Sequence, residues 1–482
     1  MMTRAATSAM FGRERLLLSL RNLKYFFCWL ILWQGSFVGG SPIQLDTWVP
    51  LPLFLGSSEL MTFAFFVVVF IERTLTQDYT LRRSYFNSPL IFLSAILFIS
   101  WARGVVMDQR LALVLEVHDL PEWPIAFLFL NNGFREEEDG PVLFKLLLFT
   151  MVPKIFEAFW ISAFSTDSRK SWGVLQSWRD GYLFDIGIVG ALAMMHYRGT
   201  KLKRLKWFLF LIFPLAEGVL IIGFRRAAIL SSIVAAFVMF VTLPRGRRLR
   251  QVMVVGSVIA GFILFALVTN PLEVAARFTG VIQPAGEGSA YIRLMELPNV
   301  LLNIWHHPIL GVPFGIPWTT YRRMPLSAVY TTLGTHTSFL YWPLRMGIFG
   351  VIAFGWLYGS MCKAALLNYR FRKNEEDFFF GQLSIQMMVA YFVNSCFGLM
   401  YSDGLVYVLS VMMVAFQHQS KMILGTSNLR EVSFWRSMRT GILVVKVPLA
   451  DRVRRLLSPA PDRNAARSTA IAALEPATVT MQ

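Results

Sequence analysis

Cysteine is scarce in this chain. Cys28, Cys362 and Cys396 are the three present among 482 residues, and each lies in or at the edge of an apolar run without metal-ligand spacing. That excludes a disulfide framework and a thiolate zinc site. Charge is scarce too, at 16% of residues against 55% apolar. Phosphate-loop glycine motifs and serine nucleophile elbows are missing, and no His or carboxylate pair has the spacing of metal ligands. Neither a metal nor an organic cofactor is therefore expected. Acids are the scarcer charge, 29 Asp and Glu against 46 Lys and Arg, for a formal net charge of +17. The basic residues fall in short clusters between apolar runs rather than along a polar face. The positive-inside rule accounts for that placement, and nucleic-acid binding does not.

What the chain has in abundance is apolar length. Runs able to cross a bilayer as helices fall at roughly 25–40, 51–71, 88–106, 141–164, 181–197, 207–224, 226–243, 252–269, 338–360, 378–399 and 402–418. The expected fold class is therefore an all-α polytopic membrane protein. Basic connectors at 73–87, 198–206 and 245–250 all belong in the cytoplasm, which these runs alone cannot satisfy. A further crossing over 112–131 restores the parity, although it carries Glu116, His118, Asp119 and Glu122. Such groups cost about 2.5–3.5 kcal/mol each on insertion, so that helix should face protein or a wet cavity.

The resulting arrangement has about 12 transmembrane helices. A basic cytoplasmic tail at 1–24 precedes nine spans over 25–269, a large external loop at 270–337 lies between helices 9 and 10, and three spans follow over 338–418. The basic segment 419–482 is cytoplasmic, amphipathic over 433–457 and disordered beyond Ser458. A loop of that length, carrying Arg, His, Gly and aromatics, reads as a folded functional unit rather than a linker.

Four groups of residues stand out for chemistry. Arg225 and Arg226 sit in Gly223-Phe224-Arg225-Arg226-Ala227, a junction so tight that both guanidiniums belong at the external membrane boundary. They either snorkel to lipid phosphate or hold a bound anion, for which arginine's planar donors suit a diphosphate. Arg293, at the start of a helix in the loop, is a solvated helix residue or a third cation for the same anion. His336 lies in Gly334-Thr335-His336-Thr337-Ser338 at the mouth of the next span, as a base toward a hydroxyl or a hydrogen-bonded structural residue. His306 and His307, ahead of Pro308, Gly311 and Gly315, read as turn residues, with Pro and Gly shaping the backbone.

The order of these features is familiar. A tight Arg-containing junction, a large loop with Arg followed by "HPILGVPFG", and then "THTSFLYWPLRMGIFGVIAF", together with the earlier "GVVMDQRLALVLEV", resembles the O-antigen ligase and polysaccharide polymerase family of bacterial inner membranes over roughly residues 20–418. The resemblance implies a metal-independent, inverting glycosyltransferase facing the periplasm. Its donor would be a glycan on undecaprenyl diphosphate and its acceptor a lipid-linked glycan, with a chain-length regulator and a flippase as candidate partners.

By the same resemblance Arg225 or Arg226 together with Arg293 hold the diphosphate, and His336 assists the acceptor hydroxyl. Many members have Asn where this chain has Thr337, and an acid ahead of the glycine where this chain has Arg345-Met346-Gly347. The expected activity is polymerisation of repeat units into exopolysaccharide or O-antigen. The alternatives are ligation of the glycan to lipid A core or protein and, from another class, transport of lipid-linked oligosaccharide. Transport fits less well, because no internal repeat is visible and the cations gather on one face.

Overall fold

A computed structural model of the chain describes residues 2–34, 57–107, 120, 122–136, 138–164, 178–222, 226–253, 256, 288–322, 335, 337–398, 405–425 and 432–444. The described residues are all-helical and contain no strand. In chain order the helices are α1 (Met2–Gln34), α2 (Ser57–Thr76), α3 (Asn87–Val106), α4 (Glu122–Gly133), α5 (Asp139–Phe149), α6 (Met151–Phe164), α7 (Trp178–Met195), α8 (Lys203–Ile222), α9 (Arg226–Thr242), α10 (Gly288–His306), α11 (Ser338–Arg370), α12 (Glu375–Phe397), α13 (Leu405–Leu424) and α14 (Phe434–Thr440). Among them Glu14–Trp33, Asn87–Val106 and Ser338–Arg370 are long and apolar enough to cross a membrane, with shorter apolar helices at Gly181–Met195 and Ala227–Thr242. Length and composition thus mark a membrane protein.

Several boundaries differ from the sequence pattern for identifiable reasons. The run at 141–164 divides into α5 and α6 at Thr150, three residues before Pro153, which lacks the N–H to continue the first helix's ladder. The polar crossing expected over 112–131 is seen as the 12-residue α4, and 108–119 lie outside the described residues. Helix α4 runs alongside α13. The Tyr407 hydroxyl donates to Glu122 Oε2 (2.8 Å), Ser410 lies at the Trp123 carbonyl and Gln417 at Asn131. The acid is satisfied inside protein, as its cost requires. Residues 2–24 and the first apolar run as far as Gln34 form one helix, α1, and 35–40 lie outside the described residues. The run at 252–269 and the tail beyond Val444 lie almost entirely outside the described residues.

Packing is inverted relative to a water-soluble bundle. On α9, Leu230, Ile233, Phe237 and Val241 face outward, whereas Ala228, Ser231, Ala235 and Met239 face in. On α3, Ile91, Phe98, Ile99 and Trp101 are exposed while Leu90, Leu93, Leu97, Ser100 and Gly104 are buried. Small and polar residues let helices approach, and large apolar ones cover the outside, which suits a lipid solvent. The innermost helices are α7, α12 and α13, each buried along nearly its whole length.

Charged groups gather at one end. Lys24 bonds both Glu72 oxygens (2.8 and 2.7 Å) and the Gly133 carbonyl, Arg21 pairs with Glu136, and Arg135 pairs with Asp78. Arg82 donates to the Phe134 carbonyl (2.7 Å) beside His418. Arg247 meets Glu375 at 2.8 Å, the Arg198 amide donates to the same carboxylate, and Lys201 pairs with Glu376. Helix α12 starts here for local reasons as well: Asn374 caps it by accepting from the Asp377 amide (2.8 Å), and three acids occupy its positive first turn. The clusters at 73–87, 198–206 and 245–250 therefore share one end of the bundle.

Glu375 makes this end acid-sensitive. Burial pushes its pKa up, but the hydrogen bond from Arg247, that from the Arg198 amide and their two positive charges outweigh burial and hold it below its ordinary 4.5. A depressed carboxylate contributes stability that is present above its ordinary value and is lost as pH falls through the depressed one. Thermal midpoints of wild type and Glu375→Gln in detergent should therefore differ at pH 7 and converge below pH 4.5. A constant difference across that range would contradict the pairing.

Candidate functional site

At the opposite end, the backbone after α10 folds back onto α11. Gly347 interrupts α11 with φ +57° and ψ −147°, a conformation open in practice only to glycine. The turn 307–311 docks into that break. The Ile348 amide donates to the Pro308 carbonyl (2.8 Å) and the Val312 amide to the Leu344 carbonyl (2.7 Å). Gly311 has φ +65°, and a Cβ there would come within 2.5 Å of the Met346 nitrogen and 2.6 Å of the Arg345 carbonyl carbon. A Cβ on Gly347 would overlap the Ile309 carbonyl. Two backbones touch here with no space for side chains.

Charge then locks the turn. Arg345 is 0% exposed, and its Nη1 donates to the carbonyls of Pro313 (3.0 Å) and Ile316 (2.7 Å). Its own carbonyl accepts from Ser100 (2.8 Å), while Arg103 donates to the carbonyls of Leu310 (2.7 Å) and Gly311 (3.2 Å). Carbonyls of a turn lack helical partners, so a buried guanidinium satisfies several at once. Arg345, a departure from the family pattern in sequence, here braces the turn.

The segment after the turn is held by two asparagines one helical turn apart on α10. Asn303 pairs with both the amide (3.0 Å) and the carbonyl (2.7 Å) of Thr319, and Asn299 does the same for Arg322 (2.7 and 3.3 Å). Beneath them Val300, Val312, Trp318 and Leu344 form a small core with Ile304, Ile316 and Leu340 around it. Residues 288–322 therefore form a folded platform on the first turns of α11.

A second polar centre lies between α7, α9 and α12. Asp185 is fully buried and accepts from Ser232 (2.7 Å) and Asn394 (2.7 Å), with Ser231 at the Ala390 carbonyl (3.3 Å). Glu217 of α8 interacts with it electrostatically. Helices α7 and α9 run in parallel here, since Gly181 faces Ala228 four residues before the Asp185–Ser232 contact. The end of α12 then holds the entry to α11: the Ser338 hydroxyl donates to the Gly398 carbonyl (2.7 Å) and Thr337 lies at the Cys396 carbonyl (3.4 Å). An oxygen-rich carboxyl centre of this kind can hold a cation or exchange a proton.

The residues singled out from sequence distribute as follows. Arg226 opens α9, six residues before Ser232; its side chain, Arg225 and His336 lie outside the described residues. Thr337, next to His336, lies at the end of α12, and Thr335 on the other side accepts from the Thr337 amide (3.2 Å). Arg293 is exposed on α10. His307 and Pro308 are exposed in the docked turn, where Gly311 and Gly315 are buried with φ +65° and +77°. His306 lies 5.1 Å from the Tyr321 ring. Among the described residues no three His, Cys, Asp or Glu side chains gather to hold a metal.

Asp185, Asn299 and Asn303 escaped the reading of motifs. An acid within the apolar run 181–197 and an Asn pair at i and i+4 were the available signals. No protein-family model matches this chain, and no curated protein compared with it is detectably similar.

Two substitutions test this geometry. Gly347→Ala meets a conformational cost of about 1–3 kcal/mol before any overlap with Ile309 is counted. It should lower the thermal midpoint in detergent and open protease cleavage within 307–322, and an unchanged digest would contradict the docking. Asp185→Leu leaves Ser232 and Asn394 without their shared acceptor, for an expected loss of about 1–3 kcal/mol. Asp185→Asn, which keeps an acceptor, should lose less in the same melt.

Proposed function

We propose that this protein is a polysaccharide polymerase of the bacterial inner membrane, joining undecaprenyl-diphosphate-linked repeat units at the periplasmic face. The observation that carries the reading is the docking of 307–316 on Gly347. Two of the segments that enter the resemblance, "HPILGVPFG" and "LRMGIFG", are joined there backbone to backbone. In this reading the chain crosses the membrane about 12 times, the charged end described above faces the cytoplasm, and 270–337 is the periplasmic loop.

The chemistry follows from charge. The acceptor hydroxyl oxygen attacks the anomeric carbon of the donor and passes its proton to His336, while the bond from that carbon to the diphosphate breaks and the leaving group keeps the electron pair. Inversion results from attack opposite the leaving group. Arg225, Arg226 and Arg293 stabilise the negative charge that grows on the diphosphate. Guanidiniums aimed at the oxygens where that charge grows favour the transition state over the ground state. They remain protonated throughout, so none is lost as a donor.

The test is a profile of carrier-lipid and surface glycans from a deletion strain complemented with wild type, Arg226→Ala, Arg293→Ala or His336→Ala at matched membrane abundance. Single repeat units should accumulate on the carrier lipid and long chains should disappear. Loss of one transition-state donor is expected to slow transfer about 100-fold or more. Long chains persisting on the carrier but missing from their final acceptor would instead identify a ligase. A normal profile from all three variants would overturn the assignment.

A further inference from the structure

The platform presents a face that water does not suit. Successive helical residues are rotated by about 100°, and on α10 this brings Leu294, Leu297, Leu301 and Trp305 into one stripe with Pro298. All four large side chains are exposed, Trp305 at 78%. The opposite side buries Glu296, Asn299, Val300 and Asn303 against 312–322. This is an amphipathic helix whose polar groups are consumed inside and whose apolar groups are left outside.

Three further observations identify what covers the stripe. The apolar surface continues through Ile309 (62% exposed) and Leu310 (42%). Arg103 bonds the Leu310 carbonyl, joining that surface to the exposed Phe98, Ile99, Trp101, Val106 and Met107 at the end of α3, a helix of membrane-spanning length. Depth is set by packing, since Val300 and Ile304 cluster with Leu340 and Leu344 in the first two turns of α11. Helix α10 is thus held level with the end of a span, rather than clear of it. The ends of the helix also have an interfacial composition, with Trp305 and Tyr321 exposed near His306 at one end and Arg293 exposed toward the other. Aromatic and arginine side chains favour the boundary between lipid headgroups and hydrocarbon.

We infer that α10 lies along the membrane surface, with Leu294, Leu297, Leu301 and Trp305 seated in the lipid of the leaflet at the end of the bundle opposite the charged one. The bilayer is the occupant because the stripe is continuous with the lipid-facing surface of α3 and needs no partner to complete it. The platform is then fixed at three places: the Gly347 break, the Arg103 bond to Leu310, and the lipid under α10. Arg293, beside the stripe, stands at phosphate depth.

The experiment is site-directed spin labelling of the full chain in phospholipid nanodiscs, in a background with Cys28, Cys362 and Cys396 replaced by alanine. Labels go in through Leu297→Cys, Leu301→Cys, Trp305→Cys and, as references, Phe98→Cys for lipid and His306→Cys for water. Oxygen, which concentrates in hydrocarbon, should relax 297, 301 and 305 as it does 98. A water-soluble nickel chelate should relax 306, so the oxygen-to-nickel contrast reverses between adjacent positions 305 and 306.

Nickel access at all three stripe positions would overturn the inference in favour of water. Access of neither agent would overturn it in favour of a protein surface, a second copy or a bound prenyl chain. If the background fails to fold, native protein and Trp305→Phe are compared in bilayers of brominated phospholipid. Loss of a lipid-quenched emission component in the variant is then the expected result, and identical quenching overturns the inference. No glycan is assayed, so the outcome is separate from that of the transfer reaction.

Discussion

The contact on which most of this structure depends is the approach of two backbones at Gly347. A helix offers a neighbour only its side chains, because its amides and carbonyls are already paired. At Gly347 that rule is suspended. The break frees the Leu344 carbonyl and the Ile348 amide, and the turn 308–312 completes both. Directional bonds at short range fix register in a way that apolar packing alone does not. Arg103 then holds the Leu310 and Gly311 carbonyls and Arg345 those of Pro313 and Ile316, so the free carbonyls are met by guanidiniums.

The same economy of polar groups governs the interior. Asp185, Glu122 and the Lys24–Glu72 pair are each held within the bundle by partners from helices distant in sequence. In lipid an unsatisfied polar group costs several kcal/mol, so such groups become fixed points around which helices must assemble. Asp185 joins α7, α9 and α12 beneath the start of α9 and the entry to α11. The result is a fixed polar centre between three helices, with residues 307–322 braced separately on α11.

Much of the helical layout was legible because lipid imposes a simple rule on composition. Apolar stretches near 20 residues announced α3, α8, α9 and α12 to within a few positions, and basic connectors were recognised as sharing one end. The polar crossing was anticipated as a helix facing protein, and the described part of it, α4, packs along α13. Gly311 and Gly315 were visible as turn glycines. Gly347 was not, because glycine in an apolar run is commonplace in membrane helices and nothing local distinguishes the one that breaks.

By itself the sequence determined the helical class, the affinity for membrane and the sorting of charge, since these follow from composition and period along a single stretch of chain. Only the tertiary structure decided which groups meet. Asn299 finding Arg322, Arg345 finding Pro313 and Ile316, and Asp185 finding Ser232 and Asn394 are matters of distance in space between residues that share no local pattern. A good N–H···O bond needs its donor and acceptor within a window of about 0.5 Å and near-linear alignment. Periodicity places a residue on a face, whereas the packing of neighbouring helices sets the last ångström.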